Sequence, residues 1–349
     1  MIKKLVLVSA CFCLLAASKA EENKVVVKEV FFTTDQSREN IDSPAVWHAA
    51  DGRNLLFATS KAGHSVNVFD AENGAMVQRL GGLGSELGQF SRPNGVWVVD
   101  DYMLVVERDN RRVQVVYLPT MVGIATFGEE QLGKPYGLYV QPLGGGEYAV
   151  YVADNYETAD EEIPADRDLN HRINRYLLET AGSTADAEWE TAFGATSGDG
   201  RLYVVESVFG DPVHNRLLVA EELEDDSKGR QVKVYDLDGQ FTGKTFGKGI
   251  FKNQVEGIAL YEVSAKAGYW IVTDQGKIEN WFHVFDRESL EYRGSFSGER
   301  TLNTDGIWLS QKATPRYPHG LFYACDNDRA ISAFDLGEVL KRLGLKTRE

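Results

Sequence analysis

One pattern recurs along this 349-residue chain and limits its fold more than any other feature. It is clearest between Asn253 and Asp286, where three short runs alternate with polar turns: Gly257 to Tyr261, Gly268 to Thr273, and Trp281 to Phe285. Short runs rich in aromatic and β-branched residues, bounded by Gly, Asp and Asn, read as antiparallel strands joined by hairpins. Three strands alone leave their faces bare, so the unit needs neighbours of its own kind.

Those neighbours recur around Pro44, Pro93, Pro135, Glu206, Glu256 and Asp305, at spacings of 49, 42, 71, 50 and 49 residues. A period of ~40–50 residues with about four strands per unit is the pattern of a propeller blade. The expected fold is all-β: a six-bladed β-propeller with four-stranded antiparallel blades, forming one domain over residues 21–349. The long interval holds a polar insert at 156–200, in which Glu157 to Asp168 reads as an acidic solvated loop and Ala185 to Phe193 as a short helix. Lys24 to Phe32 is expected to supply a strand that completes the last blade. Leu336, Val339, Leu340 and Leu343 share one face of an expected C-terminal helix.

Residues 1–20 have the layout of a secretory signal peptide: Lys3 and Lys4, an apolar run from Leu5 to Ala17, then Ser18-Lys19-Ala20. The run is too short to span a bilayer. Val8-Ser9-Ala10-Cys11 loosely resembles a lipoprotein box but lies very early, and a free secreted or periplasmic protein is expected. Cleavage would remove three lysines and no acid, taking the formal charge from −15 to −18. It would also remove Cys11 and Cys13, leaving Cys325 in a strand pattern as a buried small hydrophobe with no partner for a disulfide. So acidic a chain disfavours nucleic acid and anionic membranes as partners. It suits multivalent cations such as Ca²⁺, which take several oxygen ligands, although acidity also serves solubility alone. A monomer acting on a small molecule, without membrane insertion, is expected.

Acids gather where the repeated strands end: Asp42, Glu107, Asp109, Asp154, Glu206, Asp211, Glu221, Glu222, Glu224, Glu256, Asp274, Asp305, Asp326 and Asp328. A polar residue just before a Gly recurs at Asn94, Glu256 and Asp305. In a propeller these equivalent positions face one another across the channel, and several carboxylates aimed into one opening need a cation to stay ionised. The alternative for each acid is that it caps a turn. The six histidines are scattered without metal-ligand spacing, and neither a Gly-x-Ser-x-Gly elbow nor a P-loop occurs.

Several of these segments resemble the β-propeller phytases, calcium-dependent six-bladed phosphatases of myo-inositol hexakisphosphate. Asp42-Ser43-Pro44-Ala45-Val46-Trp47 resembles the family's Asp-Asp-Pro-Ala-Ile-Trp, and Leu218-Val219-Ala220-Glu221-Glu222 its Leu-Tyr-Ile-Ala-Glu-Glu. Val255-Glu256-Gly257-Ile258 resembles Ile-Glu-Gly-Leu, Asn303-Thr304-Asp305-Gly306-Ile307 resembles Asp-Thr-Asp-Gly-Ile, and Tyr317-Pro318-His319-Gly320 resembles Tyr-Pro-Tyr-Gly. The match is strong from Glu206 onward and weaker before it.

The resemblance implies a phosphoric monoester hydrolase of the 3-phytase type, working by attack of a water bridging bound Ca²⁺ ions. By resemblance, Asp42, Tyr136, Glu206, Glu221, Glu256 and Asp305 are calcium ligands. Lys61 and Arg111 hold substrate phosphate and count, with Glu206, as catalytic. The departures fall mainly on basic residues. Ser43 replaces a second Asp, Pro93 to Val98 lacks the acid and base of Asn-Asn-Val-Asp-Val-Arg, Asp154-Asn155-Tyr156 replaces a lysine segment, and Asp326-Asn327-Asp328-Arg329 replaces Gln-Asn-Phe-Lys. The substrate is therefore expected to be phytate or a related, smaller phosphoester. Segments such as Gln89 to Val99 look equally like NHL-type repeats, so the alternative is a non-catalytic propeller that binds a ligand or protein in the envelope.

Overall fold

In the computed structural model, which describes residues 23–223 and 230–348, the strands form six antiparallel sheets. The expected signal peptide at 1–20 and Glu224 lie outside those residues. Blade I contains Ile41–His48, Asn54–Ser60, Ser65–Asp70 and Met76–Gly81. Blade II contains Pro93–Val99, Tyr102–Glu107, Arg112–Tyr117 and Val122–Phe127. Blade III contains Pro135–Gly144, Glu147–Asp154, Ile173–Ala181 and Thr184–Phe193. Blade IV contains Val205–Asp211, Arg216–Glu221, Val232–Tyr235 and Phe241–Phe246. Blade V contains Gln254–Glu262, Gly268–Gln275, Trp281–Asp286 and Tyr292–Ser297, and blade VI contains Ile307–Ser310, Leu321–Asp326 and Ala330–Asp335. The first strand of each blade is innermost, and these six contact one another in a closed ring. The chain is a six-bladed β-propeller, as its repeat implies.

Each pair of neighbouring blades encloses its own apolar core, so both faces of every inner sheet are covered. That is why Leu55-Leu56-Phe57-Ala58 and Met103-Leu104-Val105-Val106 read as continuous apolar runs, all of them fully buried. The edge strand Met76–Gly81 is mostly exposed and packs only Leu80 against the core.

Two short strands replace the single one expected at 24–32. Phe31–Phe32 pairs antiparallel with Ala330–Asp335 and supplies the fourth strand of blade VI, so residues far apart in sequence close the ring. Lys24–Val26 pairs parallel with Tyr292–Ser297 as a fifth strand on blade V. The helix Leu336–Arg342 is capped by Asp335, whose Oδ1 accepts from Gly337 N at 2.9 Å, and it buries Leu336, Val339 and Leu340 in the core between blades V and VI. No helix among the described residues is long and apolar enough to cross a membrane.

The expected helix at 185–193 is a correction. Thr184–Phe193 is the edge strand of blade III and pairs with Ile173–Ala181 through a turn at Gly182, whose φ is +59°. An edge strand needs few apolar residues, so its Ala/Glu composition mimics helix, while pairing with the buried neighbour decides the conformation. The irregular part of the insert thus shrinks to the connection between Asp154 and Ile173, which holds one short 3₁₀ turn at Asp166–Asp168.

Candidate metal and phosphate site

The innermost strands share a local irregularity. Pairing with the second strand skips at Ile41/Pro44, Pro93/Val96, Pro135/Leu138, Val205/Ser207 and Val255/Ile258, so five blades carry a bulge at the same place. In blade VI the equivalent residues, Asp305-Gly306, precede the regular strand. A bulge redirects the side chain it carries. Here it aims Asp42, Asn94, Tyr136, Glu206, Glu256 and Asp305, one per blade, at one mouth of the channel.

The residue after each is small because the blades nearly touch there. A Cβ on Gly137 would lie 2.2 Å from Glu206 O, and one on Gly306 would lie 2.8 Å from Asp42 O. Gly257 N and Gly306 N donate across the blade seams to Asp305 O and Asp42 O, both at 3.1 Å. Thr59 Oγ1 donates to Asn94 O at 2.5 Å. Below the ring is a cavity of about 130 Å³, partly walled by aromatic residues. Trp97 stands against Trp308, Phe209 and Tyr139 at centroid separations of 5.0, 5.1 and 5.2 Å.

The mouth concentrates negative charge around a single nearby ammonium. Lys61 Nζ lies 2.7 Å from Asp42 Oδ1 and 3.6 Å from Asp305 Oδ2. Asp42 Oδ2 also accepts from Ser43 Oγ at 3.1 Å, and Asp305 Oδ1 from Gln275 Nε2. Glu206 is pushed well above the usual carboxylate range, first by burial, then by Glu222, Asp42 and Asp305, with Lys61 opposing. Glu256 is pushed up by burial, then by Glu206, Glu222, Asp305 and Asp42. Asp305 is pushed up by burial and Asp42, Lys61 opposing, and by Asp328. Burial would lower the Lys61 ammonium, but Asp42, Asp305 and Glu206 outweigh it and raise its pKa. Burial, then Glu206, raises the Tyr136 phenol, which is hydrogen-bonded to Arg108.

Three residues here have buried polar atoms without a hydrogen-bond partner among the described residues: Asp42 at Oδ1, which is approached by the Lys61 ammonium, Glu206 at Oε2, and Asn94, 1% exposed, at both side-chain amide atoms. Unpartnered buried oxygens beside mutually repelling carboxylates are the donor set a hard dication requires. The residues present therefore fit calcium, with Asp42, Glu206, Glu256 and Asp305 as the charged ligands. Asp305, Asp328 and Cys325 also bring ligand atoms within 4.8 Å of one another at one edge of this group.

Two expected site residues lie apart from the cluster. Glu221 is buried, pairs with Lys233, and accepts from Tyr203 N at 2.5 Å. It belongs to a second repeated position, the end of the second strand, with Glu107, Asp154, Asp274 and Asp326. Each accepts backbone N–H groups from the loop entering its own blade: Ser91 N at 3.0 Å, Lys134 N at 2.6 Å, Asn253 N at 2.7 Å and Leu302 N at 3.1 Å respectively. These acids cap turns. The neighbour Glu222 is the one that perturbs Glu206 and Glu256. Arg111 is exposed, has φ +54°, and lines a separate groove with Arg108 and Lys134 next to Tyr136. Asn94, Glu222 and Asp328 were among the polar residues expected at the strand ends or channel but were not named as ligands. For Glu222, aligning the blades by register would have marked Glu221 as the cap and left its neighbour for the channel.

Residues 238–338 match the family model described as Phytase. Together with the six-bladed ring, that match supports a β-propeller phytase-like family, and it suggests a phosphatase-type propeller. The matched stretch contains Glu256 and Asp305; Asp42, Lys61 and Glu206 lie before it. No curated protein matches the sequence. Many solved structures are similar, two of them as follows. Hydrazine synthase of Kuenenia stuttgartiensis has a TM-score of 0.49 at 15% identity, covering 90% of this chain and 82% of that one. A nidogen/laminin complex has a TM-score of 0.48 at 13% identity, covering 84% of this chain and 91% of that one.

Proposed function

We propose that the chain is a calcium-dependent phosphomonoesterase that works at the acidic mouth, on phytate or a related phosphoester. The observation that carries this reading is the convergence of Asp42, Glu206, Glu256 and Asp305 from four blades, with Glu206 Oε2 and the Asn94 amide unpartnered. An acidic mouth alone would repel a phosphate. Bound calcium would supply the positive charge that reverses this repulsion and acidifies the attacking water.

The chain's own residues have separate tasks. Asp42, Glu206, Glu256 and Asp305 would hold the cation, with the Tyr136 hydroxyl beside them. Lys61 reaches the same point from blade I and would bind a phosphate oxygen. Arg111, in the adjoining groove, would orient a second phosphate or the alcohol portion. Glu206, whose Oε2 has no hydrogen-bond partner among the described residues and which a bound cation would keep ionised, would accept the proton of the attacking water. The new P–O bond forms from that water as the ester P–O bond breaks, and the leaving alcohol takes up a proton.

Phosphate release from inositol hexakisphosphate and from simpler monoesters, measured with calcium and with chelator, tests the reading. Calcium-dependent release is expected. A calcium-stabilised protein that releases no phosphate would instead fit the envelope binding module. We also propose that the protein is exported after removal of residues 1–20 and acts as a monomer, to be checked by N-terminal sequencing of the exported protein and by its hydrodynamic mass.

A further inference from the structure

Lys61 stands where a bound cation would compete with it. Its ammonium lies 2.7 Å from Asp42 Oδ1 and 3.6 Å from Asp305 Oδ2, so its single charge already offsets part of the charge of two carboxylates assigned to calcium. A carboxylate oxygen engaged by an ammonium cannot also approach a dication at ~2.4 Å without the two cations being forced together.

The side chain is free to leave. Lys61 follows the second strand of blade I, and its backbone N is fixed by Asn40 O at 2.9 Å, while among the described residues its ammonium pairs with the two site acids alone. Lys233 makes the contrast. It pairs with Glu221 and also donates to Arg201 O, and its side chain is 4% exposed against 13% for Lys61. Lys233 is fixed by structure, whereas Lys61 is held only by charge.

We propose that the Lys61 ammonium is a resident counter-ion which a divalent cation displaces from Asp42 and Asp305, and that the displaced ammonium becomes a phosphate ligand. The inference rests on the calcium reading above and adds a coupling to it. A cation frees Lys61 for phosphate, and phosphate, by holding Lys61 away, frees Asp42 and Asp305 for the cation. Linkage requires the two effects to be equal. The acidic mouth would then bind cation and phosphate together more readily than either alone.

The test is calorimetric titration of calcium chloride into the full-length protein, with and without inorganic phosphate kept below precipitation. Wild type, Lys61→Met, Lys61→Gln and Lys61→Arg are compared. Removing the competing charge should tighten calcium binding at least ~10-fold in Lys61→Met and Lys61→Gln. Phosphate should tighten calcium binding in wild type and have a smaller effect in both neutral variants, while Lys61→Arg should keep wild-type behaviour. Lys61→Gln retains a donor for Asp42 and serves if the methionine variant does not fold. Neutral variants that bind calcium with equal or weaker affinity would show that Lys61 merely supports the mouth, and would overturn the inference with the calcium reading intact. A phosphate effect of equal size in all variants would overturn the coupling. A wild type that binds no calcium would remove both readings.

Discussion

Arg287 grips Asp211 with two hydrogen bonds across the seam between blades IV and V, Nη2 to Oδ1 at 2.8 Å and Nε to Oδ2 at 3.0 Å. Both residues are almost completely buried, and His214 Nδ1 lies 2.8 Å from the same carboxylate. Burial alone would raise the Asp211 pKa, but the bonds from Arg287 and His214 outweigh it and hold it below the usual range. Asp211 ends the innermost strand that Glu206 begins near its other end, so this pair and the acidic mouth lie at opposite ends of the channel.

Asp211→Asn leaves the buried Arg287 guanidinium with only the half-exposed Glu262, 3.0 Å from Nη1, as counter-charge. Breaking such a pair costs about 3–5 kcal/mol. Urea unfolding should show that loss, with the calcium dependence of activity unchanged. A variant as stable as wild type would mean that the pair adds little.

Glu256 and Glu221 should respond in opposite ways to the same change. Glu256→Gln removes a carboxylate from the mouth, so it should weaken calcium binding and reduce phosphatase activity at least ~10-fold, with partial recovery at high calcium. Glu221→Gln uncouples Lys233 and weakens the cap on Tyr203 N, so it should lower the melting temperature and leave the calcium titration in place. Superimposable calcium curves for wild type and Glu256→Gln would remove that residue from the ligand set.

The raised carboxyls at the mouth set the sign of a pH effect. Glu206, Glu256 and Asp305 have folded-state pKa values above their ordinary ones, so the folded protein holds protons that the unfolded chain has lost. Their contribution to stability is present below the unfolded carboxylate range and disappears as pH rises through the raised values. In chelator, melting temperature should therefore fall across that interval. Saturating calcium should flatten the fall, because the cation replaces the protons. Asp211 contributes the reverse: its depressed pKa stabilises above the unfolded value and the contribution is lost as pH falls through the folded one. Melting curves against pH, with and without calcium, separate the two.

Cys325 should behave as an inert thiol. It is fully buried, donates to Ile41 O at 2.9 Å, and its pKa is pushed well up by burial and then by Asp305, Asp42 and Asp328. The thiolate is the reactive form. A thiol reagent should label the native protein only at the rate of unfolding and should label it at once in denaturant.

The propeller was legible because each blade repeats one chemical layout, with runs such as Leu55 to Ala58 buried on both faces between polar turns. The strand at Gly268–Gln275 and its partner at Trp281–Asp286 fall where their aromatic and β-branched residues imply. The edge strand at Thr184–Phe193 was not legible, since its conformation comes from pairing with Ile173–Ala181 and not from its own residues. Of the site, Asn94, Glu256 and Asp305 were legible because a shared polar position precedes a Gly, whereas Asp42 and Glu206 were named as ligands only through the resemblance to the phytases. The separation of Glu221 from Glu222 depends on strand register, which a single stretch of sequence does not display, and the approach of Lys61 to Asp305 spans 244 positions from 61 to 305.

The pairing of Phe31–Phe32 with Ala330–Asp335 imposes an order on assembly. A ribosome delivers residues 31 and 32 early, yet their partner strand emerges only after five other blades have been made. Until then the first blade lacks its neighbour, and Asp42 faces open solvent where Asp305 will stand. The acidic mouth therefore is not assembled in any shorter nascent chain. If the chain is exported and binds the proposed cation, ring closure and ion capture would become one event on the far side, with the ion as a latch on the last blade to arrive.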